Sequence, residues 1–209
     1  MIVILKTLEE IEKIRRSSQI VAETLTLLKK EAVPGVSTKR LDKIAEEFIR
    51  DHKAIPAFKG YKNYPFTICS SLNEEVVHGM PSSRKLKEGD VLSIDCGAVF
   101  EGYYGDSAIT VSIGEVSENI KKIIKVGQEC LYKGILEAKV GNRLKDISLA
   151  IQQHAEKNGY NVIRNFVGHG VGRELHEFPQ VYNYADLSLD RGLLLKPGMI
   201  LAIEPMITS

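Results

Sequence analysis

The sequence predicts an α+β protein in which two pairs of helices are each followed by strands. Four segments carry apolar residues at helical spacing, and two strand-like runs flank a short loop at 99–102. The second helix of each pair begins alike, with RLDKIA at 40–45 and RLKDIS at 143–148, which indicates a duplicated unit. Because no Pro/Gly/Ser-rich linker interrupts the chain, we expect a single domain over residues 1–209.

The helices are placed by their apolar residues and by their end signals. Thr7 and Glu10 match a capping box, after which apolar residues recur to about residue 32. Pro34 and the glycine after it end this helix. The other three helices are expected at about 37–52, 117–138 and 142–158.

Strands are expected after each helix pair. Residues 91–98 and 103–111 are typical of the two arms of a hairpin. Further strands are expected at about 161–166 and after Pro197, with a glycine-rich loop between them.

Two acidic residues lie inside the apolar runs of the hairpin. With a loop at 99–102, Asp95 is expected directly opposite Asp106, where their Cβ atoms would be roughly 4.5–5.5 Å apart. Like charges at that distance are destabilising, and Asp is a poor strand former. A shared proton would relieve the repulsion, and divalent cations would do so more completely. The alternative is that one Asp lies solvated at a strand end or bulge.

A histidine and a glutamate near the end of the chain extend this pattern. His169 lies in GHGVG at 168–172, where glycines let the backbone approach a ligand closely, and neutral imidazole is a common metal ligand. Glu204 follows the apolar run MILAI, and a buried carboxylate needs a cation or a proton. The ordinary alternatives are a hydrogen-bonded turn histidine and a solvated glutamate. Together with the two aspartates, these residues indicate a site for two hard metal ions.

Two further histidines complete the group of candidates. His78 precedes a turn, and His176 lies seven residues after His169. Either could be another nitrogen ligand or a hydrogen-bond donor toward a reacting group, although each alone is more often structural. His52 and His154, on predicted helices, are interpreted as structural.

Composition excludes several classes of function. Charged residues make up 26% of the chain and the formal net charge is +1, so no basic field favours a nucleic-acid partner. No stretch is long and apolar enough to span a bilayer. The three cysteines (Cys69, Cys96 and Cys130) are an odd number without a CxxC pair, which favours a reduced, cytoplasmic protein.

Several segments together resemble the bacterial-type (type I) methionine aminopeptidases. They are PAFKGY at 56–61, NEEVVHGMP at 73–81, SIDCG at 93–97, GD at 105–106, GHGVG at 168–172 with His176, and AIEPM at 202–206. The resemblance implies the pita-bread fold, with two pseudo-symmetric halves and a central antiparallel sheet covered by helices. It also implies an enzyme that removes the initiator methionine from peptides and nascent proteins.

The resemblance implies metal-binding and catalytic roles. The residues that match ligands of two divalent ions (Co, Mn, Fe or Zn) are Asp95, Asp106, His169 and Glu204. Asp106 matches the residue that bridges the ions, and Glu204 also matches one that helps to move a proton. His78 matches the histidine at the scissile amide nitrogen, and His176 the one that supports the carbonyl oxygen.

The resemblance also implies which residues line a substrate pocket, and that this sequence ends before the last strands of the family's fold. The positions that line the family's methionine pocket are Phe58, Tyr61, Tyr64, Cys69 and Leu175, with His78 and His176 also contacting substrate. Family members carry a fifth ligand, a second glutamate, beyond the position of Ser209. We therefore expect a domain without its C-terminal strands, which binds metal weakly and has little activity alone. We expect a monomer, with association through the uncovered strand edge as the alternative.

Two other functions are compatible with this sequence. A prolidase-like Xaa-Pro peptidase uses the same ligand types but usually carries an additional N-terminal domain. A non-catalytic pita-bread module that binds protein or RNA tends to lose metal ligands, whereas four ligands and both accessory histidines are present here. The expected partner is therefore the N-terminal methionine of a peptide, with no membrane and no specific nucleic acid.

Overall fold

A computed structural model describes residues 2–185 and 192–209, and four helices occur among them close to the predicted positions. They are α1 (Leu8–Glu31), α2 (Thr38–Asp51), α3 (Glu118–Glu137) and α4 (Leu144–Lys157). The apolar face of α1 is buried as predicted, through Ile14, Val21 and Leu25 among others. Helix α2 begins where Ser37 accepts a hydrogen bond from the backbone N–H of Arg40, which satisfies one free donor of the first turn.

The described residues divide into two compact units. The first, which we call the hairpin unit, comprises residues 9–120 and 172–175. The second, the histidine unit, comprises the remaining described residues. The expectation of a single domain over 1–209 stays a prediction.

The hairpin unit contains one antiparallel sheet. Its strands are β1 (Ile55–Pro56), β2 (Ile68–Leu72), β3 (Val91–Phe100) and β4 (Tyr103–Ser112). Strand β4 pairs with β3 along its full length, whereas β2 and β1 both pair with β3 and follow one another along it. A buried cluster that includes Leu28 of α1, Leu41 of α2 and Ile94 of β3 packs both helices on this sheet.

The histidine unit is built from α3, α4 and short strands. The strands are β5 (Asn161–Val162), β6 (Gly168–Gly170), β7 (Glu177–Val181), β8 (Leu201–Ala202) and β9 (Ile207–Thr208). Strand β6 lies between β7 and β8, and β5 pairs with β9, all antiparallel. Its core joins Cys130 of α3 to Ile147 and Ile151 of α4.

Each unit repeats the same local arrangement in front of its second helix. In the hairpin unit Ser37, just before α2, forms an isolated bridge with Lys85. In the histidine unit Arg143, just before α4, forms an isolated bridge with Leu194. These equivalent bridges support the duplicated unit inferred from the sequence.

The repeat extends to two of the candidate ligands. A glycine with positive φ follows each bridge, Gly89 at 87° and Gly198 at 88°. Asp95 is the sixth residue after the first glycine, and Glu204 is the sixth after the second. This spacing, together with the LKEG and LKPG sequences that end in these glycines, is a signal that the sequence analysis missed.

Candidate metal centre and substrate pocket

The register of the β3–β4 hairpin differs from the predicted one. Asp95 pairs with Ala108, and Asp106 pairs with Gly97. The two acidic residues are therefore diagonal neighbours, and the prediction that they lie directly opposite one another is wrong.

A two-residue turn causes this difference. Phe100 pairs with Tyr103, so that only Glu101 and Gly102 connect the strands, with φ of 50° and 79°. Positive φ at both central residues is the type I′ geometry, which matches the twist of hairpin strands. The predicted four-residue loop misplaces every pairing by two positions.

The diagonal placement still keeps both carboxylates on one face of the sheet. Paired residues share a face, and so do residues two apart on one strand, which places Asp95, Gly97 and Asp106 together. Diagonal neighbours are roughly 7–8 Å apart, still within reach of one another's side chains. This spacing leaves room for cations between the carboxylates and avoids direct contact of like charges.

The same face carries the predicted substrate pocket. Cys69 of β2 pairs with Asp95 from the other edge of β3. One apolar cluster contains all five predicted pocket residues: Phe58, Tyr61, Tyr64, Cys69 and Leu175. The structure therefore brings these residues together within the hairpin unit.

Three members of this cluster were not predicted: Ala57, Val99 and Tyr104. Two of them could have been identified from the sequence, because side chains along a strand alternate between the two faces of the sheet. Val99 lies two residues beyond Gly97 and pairs with Tyr104, so both share the face of the carboxylates.

Gly97, which pairs with Asp106, lets an aromatic ring approach the backbone of β3 closely. A Cβ atom at this position would be 2.8 Å from Cε1 of Phe58 and 2.9 Å from Cβ of Ala57. Such contacts are too short for any side chain, so the cluster requires glycine here.

The pocket keeps Cys69 as a neutral thiol. Burial raises its pKa from 9.0 to about 12, while a hydrogen bond with the Tyr64 hydroxyl acts in the opposite direction and Asp95 adds to the increase. Because the thiolate is the nucleophilic form, the raised pKa argues against Cys69 as a nucleophile, and its role as a pocket wall stays a prediction.

His78 lies in a loop that is fixed to β2. Its φ is 60°, an uncommon value outside glycine. The carbonyl of the next residue, Gly79, accepts a hydrogen bond of 2.7 Å from the N–H of Ser70, and its own N–H donates to Oγ of Ser71 at 3.1 Å. The loop therefore holds His78 beside the strand that carries Cys69.

In the histidine unit, His169 occupies the central strand of a three-stranded sheet. It pairs with Gln180 of β7 and with Ala202 of β8, and it is buried. Its Nδ1 lies 2.8 Å from the carbonyl oxygen of Gly170, which can only accept a hydrogen bond. The proton therefore sits on Nδ1, an arrangement typical of histidines that bind metal through Nε2.

Nε2 of His169 faces a carboxylate. It lies 3.2 Å from Oε1 of Glu204, and that oxygen is buried and accepts no hydrogen bond from the described residues. With the proton on Nδ1, two electron pairs point at one another. A cation or a second proton between them removes the repulsion, as the sequence analysis expected for Glu204.

Glu204 is not at the end of a long strand. The predicted final strand is replaced by the short strands β8 and β9, with Glu204 between them. Its side chain is 37% exposed although Oε1 is buried, so the glutamate that the sequence predicted to be buried is only partly buried. Pro205 provides a physical reason, because it has no N–H for a continuous ladder.

His176 lies against His169, with ring centroids 4.2 Å apart and planes inclined by 47°. The structure thus groups the candidates as two sets, each inside one unit. The hairpin unit holds Asp95 and Asp106 with the apolar cluster and His78, and the histidine unit holds His169, His176 and Glu204. Carboxylate and imidazole donors of this kind suit divalent ions such as Mn, Fe, Co and Zn.

The chain belongs to metallopeptidase family M24, whose pattern matches residues 12–209. The family name means that its enzymes use metal ions to hydrolyse peptides.

Within this family, the chain is similar to bacterial methionine aminopeptidases. It is 53% identical over 206 residues to the methionine aminopeptidase of Clostridium acetobutylicum, covering 98% of this chain and 82% of that protein. It is 52% identical to methionine aminopeptidase 1 of Bacillus subtilis, covering 99% of this chain and 83% of that protein.

Solved structures confirm the predicted α+β, pita-bread fold. Methionine aminopeptidase from Thermotoga maritima superposes with a TM-score of 0.95 at 46% identity, over 99% of this chain and 82% of that one. Prolidase from Pyrococcus furiosus superposes with a TM-score of 0.84 at 27% identity, over 97% of this chain but 57% of that one.

Among the described residues, none of the helices is long and apolar enough to cross a membrane.

Proposed function

We propose that this protein is a methionine aminopeptidase that removes the N-terminal methionine from peptides and nascent proteins. The observation that carries the proposal is the identity of 53% over 98% of the chain to an enzyme of that name. The apolar cluster supports it, because it places aromatic and apolar side chains on the sheet face that carries Asp95 and Asp106.

The proposed ligands of two divalent ions are Asp95, Asp106, His169 and Glu204. Each pair supplies a reason to hold cations: two carboxylates share a sheet face, and Nε2 of His169 faces a buried oxygen of Glu204 at 3.2 Å. When bound, such ions lower the pKa of a water molecule and polarise the carbonyl that it attacks. Co, Mn, Fe and Zn all suit this donor set.

The protein's own residues would orient the peptide and move protons. Glu204 would take a proton from the attacking water through Oε2 and pass it on, while its buried Oε1 faces Nε2 of His169 and would be held by the cation. His176 would support the developing charge on the carbonyl oxygen, and His78 would contact the scissile amide nitrogen. The Nδ1–H of His169 donates a hydrogen bond to the carbonyl oxygen of Gly170. This bond fixes the orientation of the ring and leaves Nε2 to bind a metal ion.

The pocket would select methionine by its shape and by its soft surface. Aromatic rings and a neutral thiol surround it, through Phe58, Tyr64 and Cys69 among others. A thioether makes favourable contacts of roughly 0.3–1.5 kcal/mol with aromatic rings, which favours methionine over an aliphatic side chain of equal length.

A comparison of three peptides tests this function. The metal-loaded protein is mixed in excess with Met-Ala-Ser, norleucine-Ala-Ser or Ala-Pro, and release of the first residue is followed through one turnover, so that slow cleavage is still detected. We expect Met-Ala-Ser to react fastest, the norleucine peptide more slowly and Ala-Pro not at all. The His169→Ala variant serves as the negative control.

Other outcomes distinguish the remaining candidates. Preferred cleavage of Ala-Pro would replace the proposal with an Xaa-Pro peptidase, the activity named for the prolidase-like structures. Failure to cleave any peptide, together with failure to take up metal, would favour a non-catalytic module.

We also propose that the protein works in the cytoplasm as a monomer. The three cysteines are free and buried, which agrees with a reducing compartment.

A further inference from the structure

The N-terminal segment is attached to the histidine unit through one charged residue. Among residues 2–8 only Lys6 is buried, whereas Ile2 and Leu8 are each 86% exposed. The Lys6 ammonium lies 2.5 Å from Oε2 of Glu177, and the two side chains are 2% and 6% exposed. The segment exposes Ile2 and Leu8 and is anchored at Lys6, in part through this ion pair.

Glu177 lies at an irregular point of the sheet that carries His169. It pairs with Gly170 while His169 pairs with Gln180, so Phe178 and Pro179 bulge out of the ladder. The β7 backbone crosses very close to β6 here, since a Cβ on Gly170 would be 2.8 Å from the carbonyl oxygen of Phe178. A bulge re-aims the side chains beside it.

The two histidines flank this paired position directly. His169 precedes Gly170 in β6, and His176 precedes Glu177 at the start of β7. Their ring centroids are 4.2 Å apart. Any displacement of Glu177 along β7 would therefore change the ring contact.

Lys6 also holds the other neighbour of β6. Its backbone N–H donates a hydrogen bond of 2.7 Å to the carbonyl of Gly198, at the turn that leads into β8. A Cβ on Gly198 would be 2.8 Å from the carbonyl oxygen of Lys6, so the two backbones are in direct contact. One residue thus joins the start of β7 to the turn before β8, on either side of the strand that carries His169.

We infer that Lys6 is a positioning residue, which fixes Glu177 and thereby sets the mutual placement of the His169 and His176 rings. Stability alone gives no reason for a buried ion pair, because apolar residues of similar volume often replace one without loss. The ion pair instead fixes a separation, because the ammonium of Lys6 and the carboxylate of Glu177 hold the N-terminal segment at a set distance from β7. The consequence for metal binding rests on the proposed function, whereas the consequence for the ring contact does not.

The test uses a double variant in which the ion pair becomes an apolar contact, Lys6→Met with Glu177→Leu. In the metal-free protein, the ring resonances of His169 and His176 are measured by NMR, where each ring shifts the signals of the other. We expect the melting temperature to stay close to that of the parent while these shifts move toward the values of the unfolded chain. Calorimetric titration with Mn²⁺ should show an affinity lower by about 10- to 100-fold, the usual effect of losing a residue that orients a ligand.

One control and one fallback variant separate positioning from general damage. Lys43→Met removes the exposed ion pair with Glu47 and should leave the ring shifts and the Mn²⁺ affinity unchanged. If the double variant does not fold, Glu177→Asp keeps the charge of the side chain but shortens its reach to Lys6, and it should give the same change in ring shifts to a lesser degree.

Unchanged ring shifts in a folded variant would overturn the inference. If the parent protein takes up none of Mn²⁺, Co²⁺, Fe²⁺ and Zn²⁺, the proposed function fails, while the ring shifts still decide the role of Lys6.

Discussion

The two repeated segments, one after Gly89 and one after Gly198, carry their candidate ligands in different ways. The first becomes β3, a ten-residue strand paired on both edges, and Asp95 sits inside it. The second becomes β8, a strand of two residues, and Glu204 lies beyond its end. Equivalent positions in a duplicated sequence therefore differ in how much regular structure surrounds them.

This difference shows two ways to place a ligand. In the hairpin unit, a continuous ladder decides which face a side chain takes, because the alternation of strand residues has a period of two. In the histidine unit, the strands are short and bulged, so glycines and individual contacts take over this role. Gly168 and Gly170 allow close backbone approach, and Lys6 joins the neighbouring segments.

The largest effect is expected for the carboxylates of the hairpin. Asp95→Asn and Asp106→Asn should each lower the affinity for Mn²⁺ by more than about 100-fold, since loss of a ligand should exceed the loss of a group that merely orients one. Calorimetric titration measures this change. Asp51→Asn, an exposed carboxylate at the end of α2, should have no effect. An equal effect of all three substitutions would show that the binding is non-specific.

A smaller effect is expected where an aromatic ring lies on the sheet. Gly97→Ala should lower the free energy of unfolding by about 1–3 kcal/mol, because the added methyl group would collide with Phe58 and Ala57. Urea unfolding measures the change. Gly127→Ala is the matched control, since it lies in α3 with its nearest neighbour at 3.8 Å. It should stabilise the helix by about 0.5–1 kcal/mol. If both substitutions stabilise the protein, the contact between the ring and the sheet is looser than the structure shows.

Cys69 should make stability fall at alkaline pH. Its pKa is raised from 9.0 to about 12, so the folded protein keeps the proton while the unfolded chain loses it above pH 9. The stabilisation is complete below pH 9 and is lost as the pH rises toward 12, by up to about 1.4 kcal/mol per pH unit. Unfolding of the parent and of Cys69→Ala between pH 8 and 10.5 measures this, and the variant should show the shallower fall. Parallel curves would mean that Cys69 titrates normally.

The smallest effect concerns the turn that sets the register. Glu101→Asn should raise the free energy of unfolding by about 0.5 kcal/mol, because asparagine followed by glycine is preferred in type I′ turns. Glu101→Gln should give no gain, because glutamine lacks that preference. Thermal unfolding of the three proteins distinguishes these results. A gain with glutamine as well would point to charge rather than to turn geometry.

The helices were predictable because each carries its own signal. Apolar spacing and end signals placed α1 to α4 close to their observed bounds, and the residues around Asp95, His169 and Glu204 carried the family resemblance. Strand β2 was missed because ICSSL is buried throughout and shows no alternation. Strands β6 and β7 were missed because they are short and contain glycine or proline.

The amino-acid sequence by itself determined the helices, the family and the identity of the candidate ligands, because these depend on side-chain types and their spacing along the chain. Only the tertiary structure decided the register of Asp95 against Asp106, the contact of His169 with His176 and the burial of Lys6 against Glu177. These features depend on pairings between distant segments, and a two-residue turn or a single bulge changes such pairings without leaving a periodic pattern in the sequence.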